Sequence, residues 1–136
     1  MDNLSVIVRY CRSFAEKKLK QFDLTFGEQV IIKFLSKHEN MNQDAISKRY
    51  MIDKGMVAKT LNKLEEKGFI LRKQNPDNKR ENIISLTQKG VYILDNINAA
   101  VNEWNEILYE DMSDDEISYV KKLTGRMAKN IINHMD

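Results

Sequence analysis

Apolar residues recur along this chain at two periods. Leu4, Ile7, Val8, Cys11, Phe14, Ala15 and Leu19 fall at spacings of three and four, which predicts a helix over about 3–21. Leu24-Thr25 breaks it. Thr25 is placed to cap a second helix, and Glu28 three residues on completes a capping box. Val30, Ile31, Phe34 and Leu35 form that helix's inward face, and a polar connection over 37–40 follows. Met41 precedes a cap at Asn42 and is placed to add one bridging residue to a sheet. A short helix is predicted from Asn42 to Tyr50, with Asp44 in its first turn and Ala45 and Ile46 turned inward. Asp53 opens another helix, in which Val57, Leu61 and Leu64 share one face. The opposite face carries Gly55, Met56, Lys59, Asn62 and Lys63, with Lys54 at the tip.

Gly68 closes that helix and Phe69 re-enters the core. The period then shortens to two. Ile70 to Gln74 reads as a strand, Asn75-Pro76-Asp77-Asn78 as a turn, and Ile84 and Leu86 as inward residues of the returning strand. Lys79 and Arg80 stand at or beside the hairpin tip. Thr87 caps a long helix reaching about Tyr109, with Val91, Leu94, Asn98, Val101 and Leu108 on one face and Trp104 inward. A capping box over Ser113 to Glu116 starts the last helix. Ile117, Val120, Leu123 or Thr124, Met127, Ile131 and Met135 run down one side of it.

The expected fold class is mainly α with a small β-hairpin wing, an α+β winged helix-turn-helix with N- and C-terminal dimerisation helices. The expectation is a single domain over 1–136. Its DNA-binding lobe spans 25–90, and its helical dimerisation region spans 1–21 and 91–136. A winged helix does not need the apolar helices at both ends for its own core. A homodimer accounts for them, and paired recognition helices about 34 Å apart would suit a palindromic site. A larger monomeric core is the competing explanation.

Charge sharpens this picture. The net charge is only +2, but residues 41–90 carry eleven Lys and Arg against six Asp and Glu, while residues 91–136 carry four against nine. The basic excess coincides with the helix pair and hairpin, as neutralising duplex phosphates requires. From position and chemistry, Lys54, Gly55, Met56, Ala58 and Lys59 are expected in or beside the major groove. Lys59 can donate to guanine acceptors, and Met56 and Ala58 offer apolar contact. Asn42 and Lys63 are expected at phosphates.

Other chemistry is sparse. The sequence contains one cysteine, so no internal disulfide forms, in keeping with a cytoplasmic protein. No apolar run approaches the roughly 20 residues of a membrane span, and Arg9 and Arg12 interrupt any signal-peptide pattern. His38 and His134 are far apart, so no metal is expected. No nucleophile–base set or phosphate loop is present, so neither an enzyme nor a cofactor is expected. A winged helix used for protein–protein docking remains the alternative, and such a module would have no need of the basic excess.

In the order of its elements the chain resembles the MarR family of bacterial transcription regulators over about residues 4 to 135. Leu24-Thr25 with Gln29 and Leu35 resembles the family's second helix. Residues Asp53 to Leu61 resemble its recognition helix, and Leu64-Glu65-Glu66-Lys67-Gly68 the exit from that helix. Arg80, six residues before Leu86-Thr87 with Gly90 following, is similar to the wing arginine and Leu-Thr-x-x-Gly signature. The resemblance implies a homodimeric repressor of palindromic operators, released by a small-molecule effector, with Arg80 and Lys79 at the minor groove or its backbone. The family usually has an acid two residues before the wing arginine; here that residue is Asn78, and the acid stands one step earlier, at Asp77. Some relatives sense peroxide through a first-helix cysteine. Cys11 is the redox candidate here, but it lies on an apolar face and Ala15 stands where those sensors place a tyrosine.

Overall fold

A computed structural model describes residues 2–50 and 52–135. The helices are α1 (Asn3–Lys18), α2 (Phe26–Lys37), α3 (Gln43–Tyr50), α4 (Lys54–Glu66), α5 (Gln88–Leu108) and α6 (Asp114–Met135). The strands are β1 (Ile70–Asn75) and β2 (Asn78–Leu86), with one 3-10 turn at Lys20–Phe22. Two compact units cover residues 1–102 and 103–136.

Local chemistry fixes the boundaries in the first unit. Thr25 and Glu28 form the capping box of α2: the Glu28 N–H donates to Thr25 Oγ1 at 3.2 Å and the Thr25 N–H to Glu28 Oε1 at 3.3 Å. Asn42 caps α3, its Oδ1 accepting the Ala45 N–H at 2.7 Å. The turn between α3 and α4 is closed by Ser47. Its carbonyl accepts the Ile52 N–H at 3.1 Å and its hydroxyl donates to the Ile52 carbonyl. Asp53 caps α4 by accepting from Gly55 at 2.8 Å and Met56 at 3.2 Å. Gly68 ends the exit from α4 at φ +81°, a left-handed conformation that costs glycine little.

The hairpin turns through Pro76 and Asp77. Antiparallel pairing runs from Ile70 with Leu86 to Gln74 with Asn82, then shifts so that Asn75 faces Asn78. Met41 adds the expected single bridge, its carbonyl accepting the Ile84 N–H at 2.8 Å. Ile70 and Ile84 are buried against Ile32, Phe34, Ile46, Val57, Leu61, Leu64 and Ile93.

Three expectations about faces change. Glu28, Gln29 and Ile32 are buried in α2 and Val30 is only half-buried, because α1, α4 and β2 all pack on that helix and widen its covered arc. The buried face of α5 is Gly90, Ile93, Ile97 and Ala100, whereas Val91 and Asn98 are exposed. The close approach is at Gly90: a Cβ there would lie 2.3 Å from the Phe69 carbonyl oxygen, which fixes the side of α5 that meets the sheet. The predicted stripe through Val91 lies to one side of that contact. In α3, Ile46 is fully covered and Ala45 half-buried. The first helix also stops at Lys18 rather than near residue 21, giving way to the 3-10 turn and to Asp23 in a left-handed conformation.

In the second unit, Ser113 and Glu116 form the expected capping box at the start of α6, at 2.9 and 3.2 Å. Trp104 is half-buried. No described residue of α6 is buried, and Tyr119, Met127, Ile131 and Met135 are all at least half exposed.

Candidate nucleic-acid interface

The outer face of α4 follows from the inner one. With Val57, Leu61 and Leu64 covered, the 3.6-residue period turns Met56, Lys59 and Lys63 outward, and all three are exposed. Lys54 is also exposed and lies 3.5 Å from Asp44 of α3. Ala58 is half-buried, at the edge of that face. Gly55 is exposed, and a Cβ there would come within 2.9 Å of Asp53 Oδ1, the side-chain oxygen that caps the helix.

Beside α4 stands the hairpin. Lys79 and Arg80 are the second and third residues of β2 and are exposed. The tip is braced by Gln74, whose amide donates to the Lys79 carbonyl at 2.8 Å, and by Asn75, whose Oδ1 accepts the Asp77 N–H at 3.0 Å. Asn78 accepts the Arg80 N–H at 3.1 Å, so it holds the backbone of Arg80 although it cannot form an ion pair. Among the described residues, Lys59, Lys63 and Arg80 make no ion pair, leaving three cationic groups unneutralised.

Asn42, expected at a phosphate, stands at the first turn of α3 next to the hairpin. It is half-buried, its Oδ1 caps α3, and its Nδ2 donates to Glu81. Asn62 likewise turns to the hairpin, accepting from Arg72 Nη2 at 2.6 Å. Arg72 was absent from the sequence-based candidates. It shares the inward face of β1 with Ile70, and its Nε lies 3.8 Å from Glu65. Arg72, Arg80, Asn42, Glu81 and Asn82 line a polar cavity of about 440 Å³ between α3 and the hairpin. The signal for Arg72 was its even-numbered register with Ile70, which the basic character of the segment masked.

A second unanticipated group sits behind α4. Lys67 donates to Glu28 at 2.8 and 3.0 Å and to the Asp23 carbonyl, and its Nζ lies 3.7 Å from the Asp23 carboxylate. Glu28 is only 1% exposed, so this pair fixes the C-terminal end of α4 against α2 and the turn before it. Cys11 is half-buried on α1, and burial pushes its thiol above the ordinary value, which disfavours the reactive thiolate. No group of three or more His, Cys, Asp or Glu converges to hold a metal among the described residues. No described helix is long and apolar enough to cross a membrane.

Two helices joined by a short turn, followed by a two-stranded hairpin whose first strand packs on the second helix, define a winged helix-turn-helix protein. The sequence pattern of the MarR family matches residues 24–82. A crystal structure of MarR superposes with a TM-score of 0.88 at 30% identity, covering 99% of this chain and 97% of that one. This chain therefore belongs to the MarR family, a family of transcriptional regulators rather than enzymes. The HTH-type transcriptional regulator BilQ of Clostridioides difficile (strain CD3) is 28% identical over 89% of this chain and 84% of its own length. A MarR family transcriptional regulator of Listeria monocytogenes, solved with a 26mer DNA, shares the fold. Its TM-score is 0.91 at 21% identity, over 97% of this chain and 88% of that one.

Proposed function

We propose that this protein is a cytoplasmic repressor that binds palindromic duplex operators as a homodimer. In this reading α4 lies in the major groove, with Lys59 at base edges, Lys54, Gly55, Met56 and Ala58 in or beside the groove, and Lys63 at a phosphate. Arg80 and Lys79 reach the minor groove or its backbone, where narrow grooves favour arginine. Asn42 contributes by holding the hairpin. The lobe over 25–90 reads DNA, and 1–21 with 91–136 forms the dimer.

The observation that carries this reading is the set of exposed cations without an ion pair, Lys59 and Lys63 on α4 and Arg80 on the hairpin that packs against it. The structure of the Listeria regulator with DNA supports it by analogy of fold. Dimerisation is supported by apolar side chains left uncovered on α1 and α6, including Leu4, Val8, Tyr119 and Ile131. A cavity of about 360 Å³ between the end of α2, β2 and the start of α5, lined by Leu35, His38, Ile84, Leu86 and Leu94, is the candidate effector site.

Selecting fragments from random duplex DNA with the purified protein tests the reading. The expected product is an inverted repeat with half-sites about one helical turn apart. Its affinity should fall by orders of magnitude between roughly 50 and 200 mM salt. Recovery of no enriched sequence in dilute buffer, or salt-insensitive binding to a protein partner instead, would overturn it.

A further inference from the structure

We propose that Glu81 is a positioning residue for the wing: its carboxylate links the cap of α3 to the hairpin tip and so sets the course of Arg80. The inference deepens the DNA-binding reading and rests on Arg80 being a DNA contact.

The argument begins with donors and acceptors. Asn42 and Asn78 each have one amide oxygen and one NH2 group. The oxygen of Asn42 accepts the Ala45 N–H at 2.7 Å, and that of Asn78 accepts the Arg80 N–H at 3.1 Å. Both NH2 groups then turn toward Glu81, which receives Asn42 on Oε1 and a longer contact of 3.5 Å from Asn78 on Oε2. An ionised carboxylate only accepts, so Glu81 selects the amide orientation at both ends. The result is a continuous relay from the first turn of α3 to the backbone of Arg80. Glu81 is half-buried at this junction, and both asparagines line the same polar cavity as Arg72 and Arg80.

The relay also bears on the residue at position 78. An acid there would pull on the arginine directly. With Asn78 in its place and Asp77 a residue further back, it is Glu81, one residue after Arg80, whose carboxylate is tied to Asn78 and acts through the backbone. An acid beside a DNA-facing arginine would otherwise oppose binding, because it repels phosphate. A positioning role and plain repulsion therefore predict opposite signs on removal.

The test uses the full chain and a duplex selected as above. Glu81→Ala should weaken binding about tenfold and lower the salt slope by about one, as loss of a single phosphate contact does. Asn42→Ser keeps a capping side chain but removes the amide donor, and should reproduce part of that loss. In an Arg80→Ala background, Glu81→Ala should have no further effect. In the free protein, exchange of the Arg80 amide hydrogen should quicken in Glu81→Ala while the thermal midpoint stays near that of the wild type. Tighter binding by Glu81→Ala, an equal loss in both backgrounds, or unchanged exchange at Arg80 would overturn the proposal. The exchange measurement needs no DNA, so it separates failure here from failure of the DNA-binding reading.

Discussion

The region before residue 101 and the last helix use apolar residues in opposite ways. Every buried apolar residue in the described structure lies between Leu19 and Ala100, where side chains from α2, α3, α4, the hairpin and α5 cover one another. Helix α6 has an equally clear apolar stripe, yet none of its described residues is buried. Helix α1 behaves like α6 along most of its length, with Leu4, Ile7 and Val8 exposed. The same three-four spacing thus means a closed core in one place and an uncovered surface in the other. Periodicity reports which face is apolar, and only the available partners decide whether that face is covered within the chain.

This contrast can be broken from the packed side first. Lys67→Met leaves Glu28 buried without its cation and should cost about 3–5 kcal/mol in denaturant unfolding. Adding Glu28→Gln, which removes the buried charge but keeps an oxygen for the Thr25 N–H, should recover much of that loss. A loss that persists in the double variant would assign the effect to the contact with Asp23 instead.

On the uncovered side, Ile131→Glu should leave the fold of the first unit unchanged while weakening dimerisation about 30-fold or more, the scale of an interface anchor. Sedimentation over a concentration series would measure it. A dimer of unchanged strength would show that a second copy does not cover this stripe.

The effects expected at the proposed DNA face are smaller and differ in kind. Arg80→Ala should weaken binding to all duplexes about tenfold, whereas Lys59→Ala should in addition relax preference at one base pair by about 1–3 kcal/mol. Competition binding against operators altered one position at a time separates the two.

The smallest expected effect is one of acid. The Ser113 N–H and hydroxyl hold the Glu116 carboxyl below its ordinary value of 4.5. A carboxyl with a lowered folded-state value contributes stability above the unfolded value, and that contribution is lost as pH falls through the folded one. Helicity of α6 should therefore fall slightly below about pH 4.5 in the wild type, with a weaker pH dependence in Glu116→Gln. Circular dichroism would detect the difference.

Much of the architecture is legible in the chain because it is set locally. Thr25 with Glu28, Asn42, Asp53, Gly68, Asn75 to Asn78, and Ser113 with Glu116 mark their element boundaries through contacts a few residues away. The exposure of Met56, Lys59 and Lys63 follows from one helical period. What escaped the sequence depends on long-range contacts. Glu28 reads as a capping residue, and it is one, but its burial against Lys67 depends on how α2 meets α4. Arg72 looks like one more surface cation until the register with Ile84 turns it inward. Asn42 has the right chemistry for a phosphate, and only the folded hairpin shows that Glu81 engages its amide. The rotation of α5 sets Gly90 against the Phe69 carbonyl and buries Ile93 and Ile97, a stripe beside the one through Val91 and Asn98.

The joint between α4 and α5 has a mechanical consequence. Thr87 donates its hydroxyl to the Gly68 carbonyl at 2.6 Å and its N–H to the Phe69 carbonyl at 3.0 Å, and Lys89 reaches the Lys67 carbonyl at 2.6 Å. Gly90 leaves no gap between the two segments. The exit of one helix and the entry of the next are bolted together without a compliant spacer, so tilting the first turns of α5 must drag the tail of α4 along. Such a joint transmits displacement as a crank does, and gives a disturbance in the first turns of α5 a direct grip on α4.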